Sequence, residues 1–301
     1  MANIALTRKS FIREAVDTFI EWRAVKVFRE MMRVRLAKVS FVILAIAILA
    51  AIFAPVVVPR DPYGLDTANS LSKPSSTYWL GADRLGRDQL SRLIYGARVS
   101  LIIGTASVAI SVAAAIAIGT VAGYFGKWSD EILMRLMDAI AAFPGLLLAL
   151  GLVAITGGAM LNVIIAIAVT STPGKARLIR SQVLSVKERD YTLAAKAIGA
   201  PSSRIILSYL IPNSLAPVIV AATLSLGVAI ITEASLSFLG VGVKPPTPTW
   251  GGMLRHAFET VERAPWLTFS PGLAIFIVVL AFNFLGDALR DVLDPRLKGT
   301  R

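Results

Sequence analysis

Three polar residues, Asp138, Glu233 and Asn283, fall within or beside long apolar runs of this 301-residue chain. A charge in such surroundings is costly, so the group faces protein, water or a permeating solute. Each is therefore a candidate for a translocation path, and the same cost also permits a structural hydrogen bond or an interfacial anchor. Catalytic chemistry has little to work with. The run GYFGKWS looks like a scrap of a phosphate-binding loop, but that pattern needs a glycine where Val121 stands. His256 is the only histidine and there is no cysteine, which leaves thiol chemistry, Cys- or His-based metal centres and His-dependent triads without their groups. No serine lies in a Gly-x-Ser-x-Gly elbow, and no paired carboxylates mark a soluble cleft. The expectation is no catalytic residue, no metal ligand and no cofactor bound by the chain.

A second constellation offers shape instead of chemistry. The stretch RDYTLAAKAIGAPSSRIILSYLIPNS, residues 189–214, is basic, rich in small residues and broken by Gly199-Ala200-Pro201. Glycine accepts the left-handed turn at a helix end, and Pro201 cannot continue the helix before it. Two short helices are expected, 190–198 and 202–211, with Ser202 or Ser203 capping the second. Ala194 and Ala195 on one arm and the bulky run of Ile205, Ile206, Leu207, Tyr209 and Leu210 on the other make a form suited to a groove in another protein.

The elements that must carry these residues are membrane helices. Hydrophobic residues make up 55% of the chain and the mean hydropathy is +0.70, above the usual soluble range. Apolar windows long enough to cross about 30 Å of hydrocarbon lie near 38–59, 99–123, 132–156, 213–239 and 269–288. A sixth, near 159–179, is interrupted by Pro173-Gly174 ahead of Lys175 and Arg177, and reads as a kinked or thin span. None of these runs alternates as a β-barrel strand would. Gly119 and Gly123 form a small-xxx-small face for close helix packing. The first 36 residues lack the apolar core of a signal peptide, and the expectation is that the first span is retained.

The formal charge is +12, and six spans with the N-terminus inside place 22 of the 31 Lys and Arg on the inner side. That asymmetry is the positive-inside pattern, and it accounts for the basic balance without a nucleic-acid partner. Both termini are expected in the cytoplasm. Residues 10–37 space Ile12, Val16, Phe19, Val27 and Met31 at helical intervals among basic residues, as an amphipathic helix on the membrane surface does. The organisation read from this is an N-terminal amphipathic segment 1–37, a first span with its outer loop 38–98, and a core 99–301 that contains the helix pair 190–212.

AAKAIGAPSSRIILSYLIP resembles the cytoplasmic signature of bacterial ABC-importer permeases: Ala194 and Ala195 match its two alanines, Gly199 its glycine and Pro212 its closing proline. Leu193 stands where that signature usually has glutamate. IFAPVVVPRDP, LGADRLGRDQLSRLIYGARVSL, EASLSFLGVGVKPPTPTWG and PGLAIFIVVLAFNFLGDALRDVLDPRL are similar to the second, C-type permease of the dipeptide/oligopeptide/nickel family. The resemblance implies an all-α polytopic subunit of six transmembrane helices with the type I ABC importer permease fold, in a bacterial cytoplasmic (inner) membrane. Its implied partners are a homologous B-type permease, two ABC ATPase subunits or a homodimer of one, an extracytoplasmic substrate-binding protein and the lipid bilayer. ATP and Mg would belong to the ATPases. The implied coupling residues are Tyr191, Leu193, Ala194, Ala195, Gly199, Ala200, Arg204 and Pro212. Trp79, Arg84, Arg87 and Trp250, on the two longest outer loops, are the candidate docking residues for the binding protein. Peptides are the expected cargo, with nickel or another small solute as the alternative. A self-contained secondary transporter or channel is the remote one, since it has little use for a protruding helix pair.

Overall fold

The computed structural model describes residues 25–293, and within them the chain is helical with no strand beyond one isolated bridge between Ala82 and Asp88. Most of the expected amphipathic segment lies outside the described residues. Its last part, residues 25–31, is helical and ends in a turn. The long helices are α1 (Arg35–Ile52), α2 (Gln89–Phe125), α3 (Lys127–Ala141), α4 (Gly145–Thr156), α5 (Met160–Lys187), α6 (Asp190–Ala197), α7 (Ser202–Phe238), α8 (Trp250–Phe258) and α9 (Trp266–Leu293).

Local signals set the ends of α2. Asp88 caps its start, its Oδ2 accepting the Ser91 N–H at 2.8 Å, which satisfies one of the donors a helix N-terminus leaves open. Gly126, at φ +65°, closes it. Between these ends Ser107, Ser111, Ala115, Gly119 and Gly123 recur every fourth residue and are all buried. Residues four apart share one helix face, so a stripe of small side chains runs along α2. Along that stripe lies α5. A Cβ added at Gly119 would sit 2.6 Å from the Ala176 carbonyl oxygen, and one added at Gly123 would sit 2.9 Å from Val183 Cγ1. In lipid, where apolar surface gains little from meeting apolar surface, close contact of this kind is the main attraction available.

The two central helices, α2 and α7, contribute to each of three apolar clusters. Val99, Ile103, Ala229 and Leu236 meet α4 and α5; Leu101 and Ile230 meet α1, α8 and α9; Ala115 and Val218 meet α3 and the C-terminal half of α5. Connections gather at two poles. At one, Gly158 lies against the Gly242 carbonyl, and the Gln89 amide donates to the Leu267 carbonyl at 3.0 Å. At the other, Lys187 Nζ donates to the Tyr124 carbonyl at 2.7 Å and the Tyr124 hydroxyl bonds Ser202 Oγ at 3.0 Å.

Among the described residues four helices, α1, α2, α7 and α9, are long and apolar enough to cross a membrane. The window expected as a single span at 132–156 is instead two helices, α3 and α4, meeting at 88° across residues 142–144. Pro144 supplies the reason, since the residue before a proline is pushed out of the helical region. Counted as one, that bent pair is a fifth span. The expected kink in the next segment is absent as a break: α5 runs unbroken through Pro173 and Gly174 for 28 residues. It falls short of the apolar measure because Lys175, Arg177, Arg180 and Lys187 lie on it.

The α2–α5 contact gives a direct expectation. Gly119→Val should overpack the interface and lower stability by roughly 1–3 kcal/mol. Gly151→Ala, whose Cβ meets nothing within 4 Å, should be neutral or stabilising. Thermal unfolding of the purified protein in detergent checks both; equal melting temperatures would refute the packing account.

Candidate functional site

The stretch 190–212 folds around Gly199, which adopts φ +75°. Its N–H donates to the Lys196 carbonyl at 3.1 Å and the Ala200 N–H to the Ala195 carbonyl at 3.0 Å. That is the Schellman ending of α6, with glycine at the left-handed position. The second arm differs from the expected separate helix 202–211. It is the first part of α7, which continues to Phe238 over 37 residues. Pro201 occupies the cap without a side-chain bond in place of the expected Ser202 or Ser203, and the Ser202 Oγ is engaged by Tyr124. Residues Ile206–Leu210 form a π-helical turn just before Pro212, where proline has no N–H to continue the ordinary ladder.

The exposure of this element is apolar. Tyr191, Leu193, Leu207 and Ile198 face outward, Ile198 being 85% exposed. Ala194, Arg204 and Pro212 are also exposed and Ala200 is half-buried. Ala195 is the exception among the expected contact residues: at 4% exposure it packs inside the chain, so it shapes the element and presents no surface. Tyr191 stacks on Tyr209 with centroids 6.3 Å apart, which ties the two arms together.

Between α4, α5 and α7 lies a cavity of about 460 Å³. Its wall is apolar except for Thr170, Ser171, Ser225, Thr232 and Lys175. The four hydroxyls all donate back to carbonyls of their own helices: Thr170 to Ala166 at 3.1 Å, Ser171 to Ala168 at 3.3 Å, Ser225 to Ala221 at 2.6 Å and Thr232 to Val228 at 2.8 Å. Each oxygen keeps acceptor capacity, and the backbone demands of the wall are met without a ligand.

None of the three polar residues singled out from the sequence lines this cavity. Glu233 is fully buried, accepting from Ser100 Oγ at 3.0 Å and Ser237 Oγ at 2.8 Å. The Trp250 N–H donates to the same Ser100 Oγ at 3.3 Å, so this cluster joins α7, α2 and α8. Asp138 is exposed and pairs with Arg177 at 2.8 Å, bridging α3 and α5. Asn283, half-buried on α9, lies beside Gly227 of α7. Glu233 and Asp138 bond across elements, and Asn283 packs against α7. The residues that do line a cavity, Lys175 and the hydroxyls, carried one usable signal: a lysine just past Pro173-Gly174 in an otherwise apolar segment.

At the opposite pole, loop 60–88 is held by a buried ionic cluster. Asp83 Oδ2 accepts from Arg87 Nε at 2.7 Å, Arg92 Nε lies 3.6 Å away, and Arg92 Nη1 donates to the Pro62 carbonyl at 2.9 Å. Hydrogen bonds from Asn69 and Tyr78 hold the Asp66 carboxyl below its ordinary pKa. Burial holds the His256 imidazole below its own, against the opposing pull of Glu259. Of the four expected docking residues, Trp79 is 69% exposed and Arg84 forms an exposed pair with Glu259 at 2.7 Å. Arg87 and Trp250 are buried, at 6% and 3%, and hold the scaffold. The Trp250 indole N–H donates to the Leu93 carbonyl at 3.0 Å.

Residues 115–299 match the family described as binding-protein-dependent transport system inner membrane component, and residues 23–74 match the N-terminal TM domain of oligopeptide transport permease C. The chain is 43% identical over 277 residues to a dipeptide transport system permease protein DppC of Alkalihalophilus pseudofirmus, covering 92% of this chain and 90% of that one. It is 47% identical over 257 residues to a di/tripeptide transport system permease protein DppC of Pseudomonas aeruginosa, covering 83% and 85%. It is 42% identical over 273 residues to a glutathione transport system permease protein GsiD of Escherichia coli, covering 90% of each. Among solved structures, an inward-facing form of the MetNI methionine ABC transporter superposes with a TM-score of 0.55 at 19% identity, over 67% of this chain and 96% of that one, a likeness of fold.

The Gly199 turn sets a testable expectation. A Cβ there meets nothing within 4 Å, so the cost of a side chain is conformational alone. Gly199→Val should strain the turn by about 1–2 kcal/mol and speed hydrogen exchange of the Gly199 and Ala200 amides. Gly199→Asn, which tolerates the left-handed region, should stay near wild type. Equal exchange in both variants would refute the account.

Proposed function

The chain belongs to the family of binding-protein-dependent transport system inner membrane components, and from that membership we propose that it is the permease subunit of an ATP-driven importer of peptides. It forms half of a translocation path and is moved by a separate ATPase. The observation that carries the coupling is the exposed apolar element at Gly199, whose second arm is the base of membrane helix α7. Force applied to Leu207 reaches the cavity wall along α7, since Ser225, Val228 and Thr232 stand on it, and Leu193 and Ile198 join α7 across the Gly199 turn and the Tyr191–Tyr209 stack. The peptide cargo is supported by the relatives at 42–47% identity, whose names specify dipeptides, di/tripeptides and glutathione.

In this reading the partners are a homologous permease, two ATPase subunits that hydrolyse the ATP, and an extracytoplasmic binding protein. The pole carrying Tyr124, Lys187 and Gly199 faces the cytoplasm with both chain termini, because Lys and Arg concentrate on that side. The chain then crosses the bacterial inner membrane six times. The sixth crossing is α5: it runs from the pole of Gly158 to that of Lys187, and each of its charged residues bonds a protein group, Arg177 to Asp138, Arg180 to Asp130, Lys175 to the Ser171 carbonyl and Lys187 to the Tyr124 carbonyl. Trp79 and Arg84 remain as the docking surface for the binding protein.

The test is a complex reconstituted in proteoliposomes with the partner permease, the ATPases and the binding protein, supplied with a dipeptide. Wild type should import it only with ATP. Leu193→Asp removes about 1.5–3 kcal/mol of apolar burial from the docked contact, so ATPase retention should fall roughly ten- to a hundredfold and import with it. Import by this variant at the wild-type rate would sink the coupling assignment. ATP-independent uptake by the chain alone would sink the importer reading itself.

A further inference from the structure

Lys175 is 94% withdrawn from solvent, with 6% of its surface exposed, yet it lines the cavity between α4, α5 and α7. An ammonium has three donors, and here one hydrogen bond is made, to the Ser171 carbonyl at 3.1 Å on its own helix. Among the described residues no carboxylate lies within ion-pair distance of it. Asp138 and Asp130, the acids of α3 that bond α5, are taken by Arg177 and Arg180. A buried cation with donors to spare, aimed into a cavity, is a group waiting for an anion.

The same cavity has a second positive feature on an independent element. Gly145 and Leu146, the first two residues of the 12-residue helix α4, also line it. The first backbone donor satisfied at that end is Leu148, whose N–H reaches the Pro144 carbonyl at 3.0 Å, so the N–H groups ahead of it have no intrahelical partner. The 88° bend at Pro144 is what turns this end of α4 toward α5 instead of letting it continue α3. A helix N-terminus carries partial positive charge and free donors, which suit a carboxylate. The hydroxyl oxygens of Thr170, Ser225 and Thr232 supply acceptors nearby, and about 460 Å³ lies within the usual range of small-ligand sites.

We propose that this cavity is a carboxylate-binding station on the translocation path, in which Lys175 and the N-terminal amides of α4 receive the terminal carboxylate of the peptide. The inference rests on the peptide-importer reading. Lys175 lies 12 positions before Lys187 on α5, about 18 Å from the cytoplasmic end at 1.5 Å per residue, which places the station within the membrane-embedded part. The acceptor-rich wall of Thr170, Ser225 and Thr232 faces the peptide's own N–H donors. Ala221 and Val228 give the side chains an apolar surface that discriminates weakly among them.

The test uses the reconstituted complex with dialanine and with its C-terminal amide, each at a concentration that saturates the binding protein. Lys175→Gln should lower import of dialanine at least tenfold while leaving import of the amide and assembly with the partner subunits unchanged; Lys175→Arg should retain import of both. Equal import of dialanine by wild type and Lys175→Gln would overturn the proposal. An equal fall for dialanine and its amide would also overturn it by marking a structural role, and loss of assembly would do so by marking a subunit contact. Failure of the wild-type complex to import either compound would instead refute the peptide-importer reading on which the proposal rests.

Discussion

The close approach of α2 and α5 at Gly119 and Gly123 is the contact on which the remaining geometry depends. A side chain at Gly119 would collide with the Ala176 carbonyl, so the separation of the two helices is set by hydrogen atoms. Once α5 is held there, its Lys175 is fixed beside α4 and α7, and its last residue, Lys187, reaches the Tyr124 carbonyl at the end of α2. Tyr124 in turn meets Ser202, where α7 begins. The cavity and the exposed element at Gly199 are thus positioned by one stripe of small residues, although neither contains any of them.

Polar groups in the bundle fall into two kinds. Glu233 with Ser100 and Ser237, and Asp83 with Arg87 and Arg92, are closed clusters whose members satisfy one another. Such clusters pin elements together, because removing one member leaves another buried without its partner. The cavity wall is of the second kind. Its hydroxyls satisfy their donors within their own helices and leave acceptors free, and Lys175 leaves donors free.

What the sequence made legible was what short-range chemistry decides. Gly199-Ala200-Pro201 announced a left-handed helix ending, and Gly119 and Gly123 announced a close helix face, because in both cases the residue type itself is the constraint. The family, too, was readable from four blocks of sequence. Hydropathy could not show that 132–156 bends by 88°, since both arms are apolar and a window averages over the corner at Pro144. Arg87 and Trp250 looked like surface residues because they sit on polar loops, but loop membership does not fix exposure, and both fold inward. The cavity drew on three helices separated in sequence, so its serines and threonines were indistinguishable beforehand from the others that merely bond their own backbone.

Glu233 stands near the C-terminal end of α7 and is tied through Ser100 to the N–H of Trp250, while the N-terminal end of the same helix emerges at Ser202 beside the Gly199 turn. One continuous helix, with a π-helical turn near its start, therefore has a bonded contact at each end and a cavity wall between them. Thermodynamic linkage has no preferred direction: whatever shifts the contact at one end shifts the equilibrium at the other by the same free energy. In an importer built this way, the outer face is a sensor as much as an outlet for work. In the proposed importer, a loaded binding protein that favoured one position of α8 and Trp250 would favour one arrangement at the Gly199 element, so cargo arrival and nucleotide state would be two readings of a single coordinate.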